Sequence, residues 1–246
     1  MKIKYLFYKM THDSGFAPNP FGKYLTLAAC TPNHSKSRID VGDYIIGVES
    51  KSLASQRHNI NLEKEVEQSI IYIAKINEIK TLNEYFHDKR FDYKKVKHDS
   101  TWKEKMGDNV YYCEKQVWKW IRGHQHDWEK EKQKEEQFFH IDKLEYIFRH
   151  RYKNGYDSLI QDINGDRVFI SEDFMYFGDF CLELKKEFLS LMPNRGTKYN
   201  HDMTIESNFI IEIKNLYEKY GYGRHGNPIL YKIKEYNTPK CQDNFF

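Results

Sequence analysis

No regular element can run through Thr11-His12-Asp13-Ser14-Gly15-Phe16-Ala17-Pro18-Asn19-Pro20-Phe21. Pro18 and Pro20 fix φ and lack an N–H donor, and each steers the residue before it away from helix. Gly15 admits a left-handed turn. The stretch follows an alternating run, with Ile3, Tyr5, Phe7 and Lys9 on one side and Lys4, Leu6 and Tyr8 on the other. That run reads as a strand with one face buried more than the other, and the stretch after it as an ordered loop. Loops held on a rigid scaffold are where binding groups gather. This one carries a histidine, an aspartate, a hydroxyl, an amide and aromatic rings. A structural turn capping a strand is the plain alternative.

A chain of 246 residues has room for one large β-containing domain or two small ones. Only 39% of it is hydrophobic, yet 16% is aromatic, with 19 Tyr and 16 Phe, so rings must fill much of the core and line any pocket. A net charge of +3 permits a local basic patch without requiring one. Cys30, Cys113, Cys181 and Cys241 are scattered with no CxxC pair, which points away from zinc and from a disulfide framework. His124 and His126 stand two apart with no obvious set of carboxylate or thiol partners, so no metal is expected. A Walker loop, a dinucleotide glycine pattern and a Gly-x-Ser-x-Gly elbow are all missing, which disfavours ATPase, dehydrogenase and hydrolase chemistry, and no cofactor is expected. Without a signal peptide or a run of about 18 apolar residues, the expectation is a soluble, cytoplasmic protein that does not engage a membrane.

Further along, residues 24–30 are apolar and fit a strand or a buried helical turn equally well. Gly42-Asp43 is a tight corner into the β-branched run Tyr44-Ile45-Ile46-Gly47-Val48. Residues 50–65 read as polar and mobile. The five isoleucines between 66 and 79 favour a long strand. Thr81 and Glu84 have capping-box spacing for a short helix over 82–86. Residues 86–105 hold Lys89, Arg90, Lys94, Lys95, Lys97, Lys103 and Lys105; this is a solvated loop or a phosphate-facing edge. A strand begins at Asp108-Asn109, and residues 114–139 read as helix, ending in a charged face. Asn164-Gly165 turns into a strand over 166–171. A short helix over 185–191 stops before Pro193, and 205–220 is an amphipathic helix. No repeat or linker marks a boundary, so residues 1–246 form one domain with a charged helical insertion around 114–154.

The blocks Thr11 to Phe21, Val41-Gly42-Asp43-Tyr44-Ile45-Ile46-Gly47, Gly107-Asp108-Asn109-Val110-Tyr111-Tyr112 and Asp173-Phe174-Met175-Tyr176-Phe177-Gly178 resemble the second of the nucleotide-modification-associated domain families. Asn194-Arg195-Gly196-Thr197-Lys198-Tyr199-Asn200 and Gly223-Arg224-His225-Gly226-Asn227-Pro228 follow in the right order. That resemblance implies a setting in systems that install or handle modified bases in bacterial or phage DNA. The order of strands, Gly-Asp corner and acid-aromatic cluster also resembles the PUA-like barrels, among them the EVE, YTH and ASCH domains, several of which bind modified bases in an aromatic pocket. The fold class implied is α+β, a PUA-like mixed β-barrel flanked by helices.

A base pocket needs a flat wall for stacking and a few polar groups matched to the base edge. Phe21, Tyr111, Tyr176 and Phe177 are candidate walls. Ser14, Asn19, Asp108, Asn109, Asp173 and Arg195 are candidate ligand contacts, Asn and Asp pairing with donor-acceptor patterns. The leading reading is recognition or processing of a modified nucleobase or nucleotide, free or within nucleic acid. The alternative is a base- or nucleotide-modifying enzyme with His12 as acid or base beside Asp13 or Asp108. A third is a partner protein that scaffolds such a system through residues 118–136.

Overall fold

The computed structural model describes residues 3–28, 37–59, 68–97, 100–114, 117–121, 162–163, 165–194, 196–199 and 203–230. In chain order the elements are β1 (Tyr5–Met10), β2 (Leu25–Leu27), β3 (Tyr44–Glu49), α1 (Lys51–Asn59), β4 (Ser69–Lys75), β5 (Glu78–Lys80), α2 (Leu82–His87), α3 (Trp102–Lys105), β6 (Tyr111–Glu114), β7 (Val117–Trp120), β8 (Val168–Ser171), β9 (Asp173–Tyr176), β10 (Leu182–Glu183), β11 (Thr197–Tyr199), α4 (Met203–Tyr220) and β12 (Gly223–Arg224). Short 3-10 turns occupy Lys89–Lys94, Gly178–Phe180 and Lys186–Leu191.

The main sheet runs β11-β1-β3-β4-β9-β12, with β10 extending the β4 ladder beyond β9. β1 and β3 are parallel, β4 is antiparallel to β3 and β9, and β12 is parallel to β9. The carboxyl ends of β1, β3, β9 and β12 therefore share one edge, and the loops that follow them gather there. A second sheet, β2-β8-β5, is antiparallel. Two ribbons pass from one sheet to the other, β4 into β5 and β8 into β9. Asn77 holds the bend: its N–H donates to Ile170 O, its Oδ1 accepts from Glu172 N, and its Nδ2 donates to Asp173 Oδ2.

These sheets make the fold mixed α+β, as expected, but among the described residues the strands do not close into a barrel. The two sheets are stacked instead. Leu6, Met10, Ile45 and Phe174 of the main sheet meet Leu25, Leu27 and Phe169 of the small one. The opposite face of the main sheet buries Phe7, Ile46, Ile73 and Met175 against Phe209, Ile213 and Leu216, spaced four and three apart on α4. The outer face of the small sheet, Val168 and Ile170, is covered by Leu82, Tyr85 and Phe91.

Four expectations change. β1 is buried on both faces rather than one, since Tyr5, Leu6 and Phe7 are all enclosed; a strand between two layers loses its alternation. Residues 66–79 are split at the bend into β4 and β5. The polar stretch after β3 forms α1 as far as residue 59, with Leu53 and Arg57 the buried positions among its described side chains, and so carries little apolar periodicity. The start of the 114–139 segment is a strand: β7 pairs with β6, bringing Lys119 over the Tyr112 ring. Residues 122–161, most of the proposed insertion and of the 118–136 partner segment, lie outside the described residues, as does Arg195. The capping box at Thr81 and Glu84 forms as expected.

Candidate functional site

The opening loop leaves β1 at the shared carboxyl edge and crosses to β2, tied down at three places. At the first, Asp13 turns inward and is fully enclosed. Its Oδ1 accepts from Tyr176 Oη at 2.5 Å, and its Oδ2 accepts from Ile229 N at 2.9 Å. Burial pushes its carboxyl up to about 7, against the pull of the two donors, and the nearby Asp179 charge adds to the rise. At the second, Gly15 is wedged with φ +80°; a Cβ there would meet Pro228 Cγ at 2.7 Å and Phe21 Cε2 at 2.9 Å.

The third tie is a buried polar network under Asn19. Lys94 Nζ donates to Asn19 O at 2.8 Å, Asn19 Oδ1 at 2.7 Å and Tyr24 O at 2.8 Å. All three ammonium protons are satisfied. Asn19 Nδ2 donates to Met106 O. Asp108, also enclosed, accepts from Thr26 Oγ1 at 2.6 Å and Tyr85 Oη at 2.8 Å. Burial lowers the Lys94 ammonium and raises the Asp108 carboxyl, and each charge counters the other's shift. Asn109 braces the same region, its Nδ2 donating to Tyr85 O and Phe91 O.

The loops after β9 and β12 approach each other closely. Asp179 Oδ1 accepts from Asn227 N at 2.6 Å, and Asp179 N donates to Asn227 O at 2.8 Å. A Cβ on Gly226 would lie 1.8 Å from Phe177 O. Arg224 follows from this closure: its Nη1 donates to Asn227 Oδ1 at 2.7 Å, and its guanidinium stands 5.8 Å from the Phe21 ring centroid. Trp102 also packs on Phe21, edge-on at 5.5 Å and 88°.

The candidate residues thus divide into two groups. Asp13, Asn19, Asp108, Asn109, Tyr111, Tyr176 and Phe177 are enclosed and spent on internal partners, Tyr111 Oη on Asp162 and Phe177 against His225 and Tyr220. Ser14, Phe21, His12 and Asp173 keep an open side. The Ser14 hydroxyl accepts from Phe16 N, and Asp173 is held by Asn77 at the far end of β9. His12 sits beside Gln56 of α1, and burial lowers its pKa. Adjacent in sequence, His12 and Asp13 face different partners, and Asp108 belongs to the Lys94 network. The structure brings the opening loop, Asp108-Asn109 and Tyr176 together, but as a brace rather than an open pocket.

Sequence reasoning passed over Arg224 and Trp102 as site residues. Arg224 stands in the block from Gly223 to Pro228, whereas Trp102 is hidden in the lysine-rich run. Within that run Arg90 binds Glu78 and Asp88, Lys95 binds Asp92, Lys97 binds Glu104, and Lys94 is buried. Among the described residues no group of three or more His, Cys, Asp or Glu side chains could hold a metal, and no helix is long and apolar enough to cross a membrane. A cavity of about 320 Å³ lies on the other face, between β10, the Lys186–Leu191 turn and α4, away from these loops.

The described residues thus form a mixed α+β fold with a braced loop at the carboxyl edge of its main sheet. The chain belongs to the nucleotide modification associated domain 2 family, whose model matches residues 2–147, more than half of the chain. The opening loop, Asp108 and Asn109 fall within that match. The blocks around Tyr176, Arg195 and Arg224 lie beyond it. No curated protein and no solved structure matches the chain.

Proposed function

We propose that this domain recognises a nucleobase, modified as befits its family's association with nucleotide modification, at the surface formed by Phe21, Trp102 and Arg224. One observation carries the reading. An aromatic face, a second ring and a guanidinium converge within 6 Å of the Phe21 centroid, on a loop that a buried network holds still. Rings supply stacking for any base, and a guanidinium can bind a phosphate or the acceptor edge of guanine. Preorganisation lowers the entropy lost on binding, and this assigns Lys94, Asn19, Asp108 and Asp13 a supporting role. The acid-base alternative at His12 gains no support from the geometry, since the carboxylates it needs are turned inward.

The test is isothermal titration with a panel of unmodified and modified nucleosides and their 5′-monophosphates. The expected outcome is binding of at least one monophosphate, weakened about 10-fold or more by Arg224→Ala and by Phe21→Ala, corresponding to 1–3 kcal/mol for each contact. Arg224 is exposed, so its replacement should leave the melting temperature unchanged. Variants that bind as the parent does, or a panel with no binder, would overturn the proposal.

A further inference from the structure

Four exposed or half-exposed features continue from the Phe21 surface around the open edge of the main sheet. Tyr222 is 50% exposed and Tyr217 of α4 is 42% exposed, their rings 4.0 Å apart at 33°. β12, which follows Tyr222, is the last strand of the sheet. Only Gly223 separates Tyr222 from Arg224, so their Cα atoms are no more than about 7 Å apart. Arg224 in turn reaches Phe21, and Phe21 reaches Trp102. Rings and a cation therefore succeed one another from α4 to α3. Exposed Lys214, three residues before Tyr217 on α4, and Lys103, next to Trp102, add positive charge at either end.

We propose that this edge is a track for single-stranded nucleic acid, with a base on Phe21 and its neighbours stacked along Tyr222 and Tyr217. The inference rests on the base-recognition reading above and extends it: the ligand is a strand rather than a free nucleotide. A free nucleotide has no use for a second aromatic pair beyond Arg224. Tyr217 and Tyr222 keep about half of their surface in water, area that stacked bases would cover. Stacking tolerates every base because each presents a π-face, and a phosphate between bases can meet the Arg224 guanidinium within the path. Duplex DNA is disfavoured because its bases are already stacked on each other.

The experiment is fluorescence anisotropy with a 5′-labelled 12-nucleotide single-stranded DNA of mixed sequence, the same sequence as a duplex, and unlabelled mononucleotides as competitors. The expected result is tighter binding of the strand than of any mononucleotide or of the duplex, with affinity falling as salt rises. The double variant Tyr217→Ser with Tyr222→Ser should weaken strand binding about 10-fold or more while mononucleotide binding stays at the parent level. Mononucleotide binding with no gain from the longer strand overturns the track and leaves the base site standing. Strand binding indifferent to the tyrosine changes also overturns the track. Failure of every nucleotide to bind overturns both.

Discussion

Asp13 makes the support of the opening loop measurable. Its carboxyl is enclosed, with a pKa about 7 against an ordinary 3.8. Between those values the folded protein holds a proton that the unfolded chain has released. This group's contribution to stability is therefore full below about pH 4 and is lost as pH rises through about 7. At about 1.36 kcal/mol per pH unit, the ceiling is about 4 kcal/mol; relaxation of the loop around the charge brings the expectation to about 2–4 kcal/mol. Asp13→Asn keeps the shape of the protonated form, an oxygen for Ile229 N and a donor toward Tyr176 Oη, and cannot ionise. Urea unfolding of parent and variant, compared at about pH 5 and about pH 8, cancels every other titration. From about pH 5 to the folded value of about 7 is about two pH units, so between those two conditions the variant should gain on the parent by about 1–3 kcal/mol. Curves that stay parallel from pH 5 to 8 would refute an ionisable, buried Asp13.

Lys94→Met removes the cation that joins Asn19, Tyr24 and the Asp108 field, leaving a buried carboxyl without its counter-charge; a loss of about 3–5 kcal/mol is expected by the same unfolding assay. Gly226→Ala must push the loop after β12 away from Phe177 O, costing about 1–3 kcal/mol and weakening nucleotide binding through displacement of Arg224. A stable variant with parental affinity would show that this closure does not position the arginine.

Local physics was legible in the sequence wherever partners were near in the chain. The Thr81 capping box needs only Glu84, three residues on. The corner at Gly42 has φ +95° and is fixed by Asp43, whose carboxylate accepts from Asp40 N and Lys4 N. The loop character of residues 11–21 followed from its prolines. What depended on distant partners was hidden. Lys94 lay in a run of lysines that looked solvated, and its burial is decided by acceptors in Asn19 and Tyr24, some 70 residues away. α1 looked like coil because its second buried residue is Arg57, which is matched by Glu49 at 2.7 Å. β7 was obscured by the charged stretch after it, although Val117-Trp118-Lys119-Trp120 alone has β-branched and aromatic character. The candidate site was legible as a set of blocks that meet. Which side chains face inward was decided by the two-sheet packing, and that has no local signature.

The most direct measurement is a crystal structure of the protein with a modified nucleoside 5′-monophosphate from the titration panel. The account predicts the base against the Phe21 ring near Trp102, with Arg224 on the phosphate or the base edge and the Asp13–Tyr176 and Lys94–Asn19 contacts unchanged. A nucleotide ordered elsewhere, for instance in the cavity between β10 and α4, with Phe21 and Arg224 untouched, would contradict it.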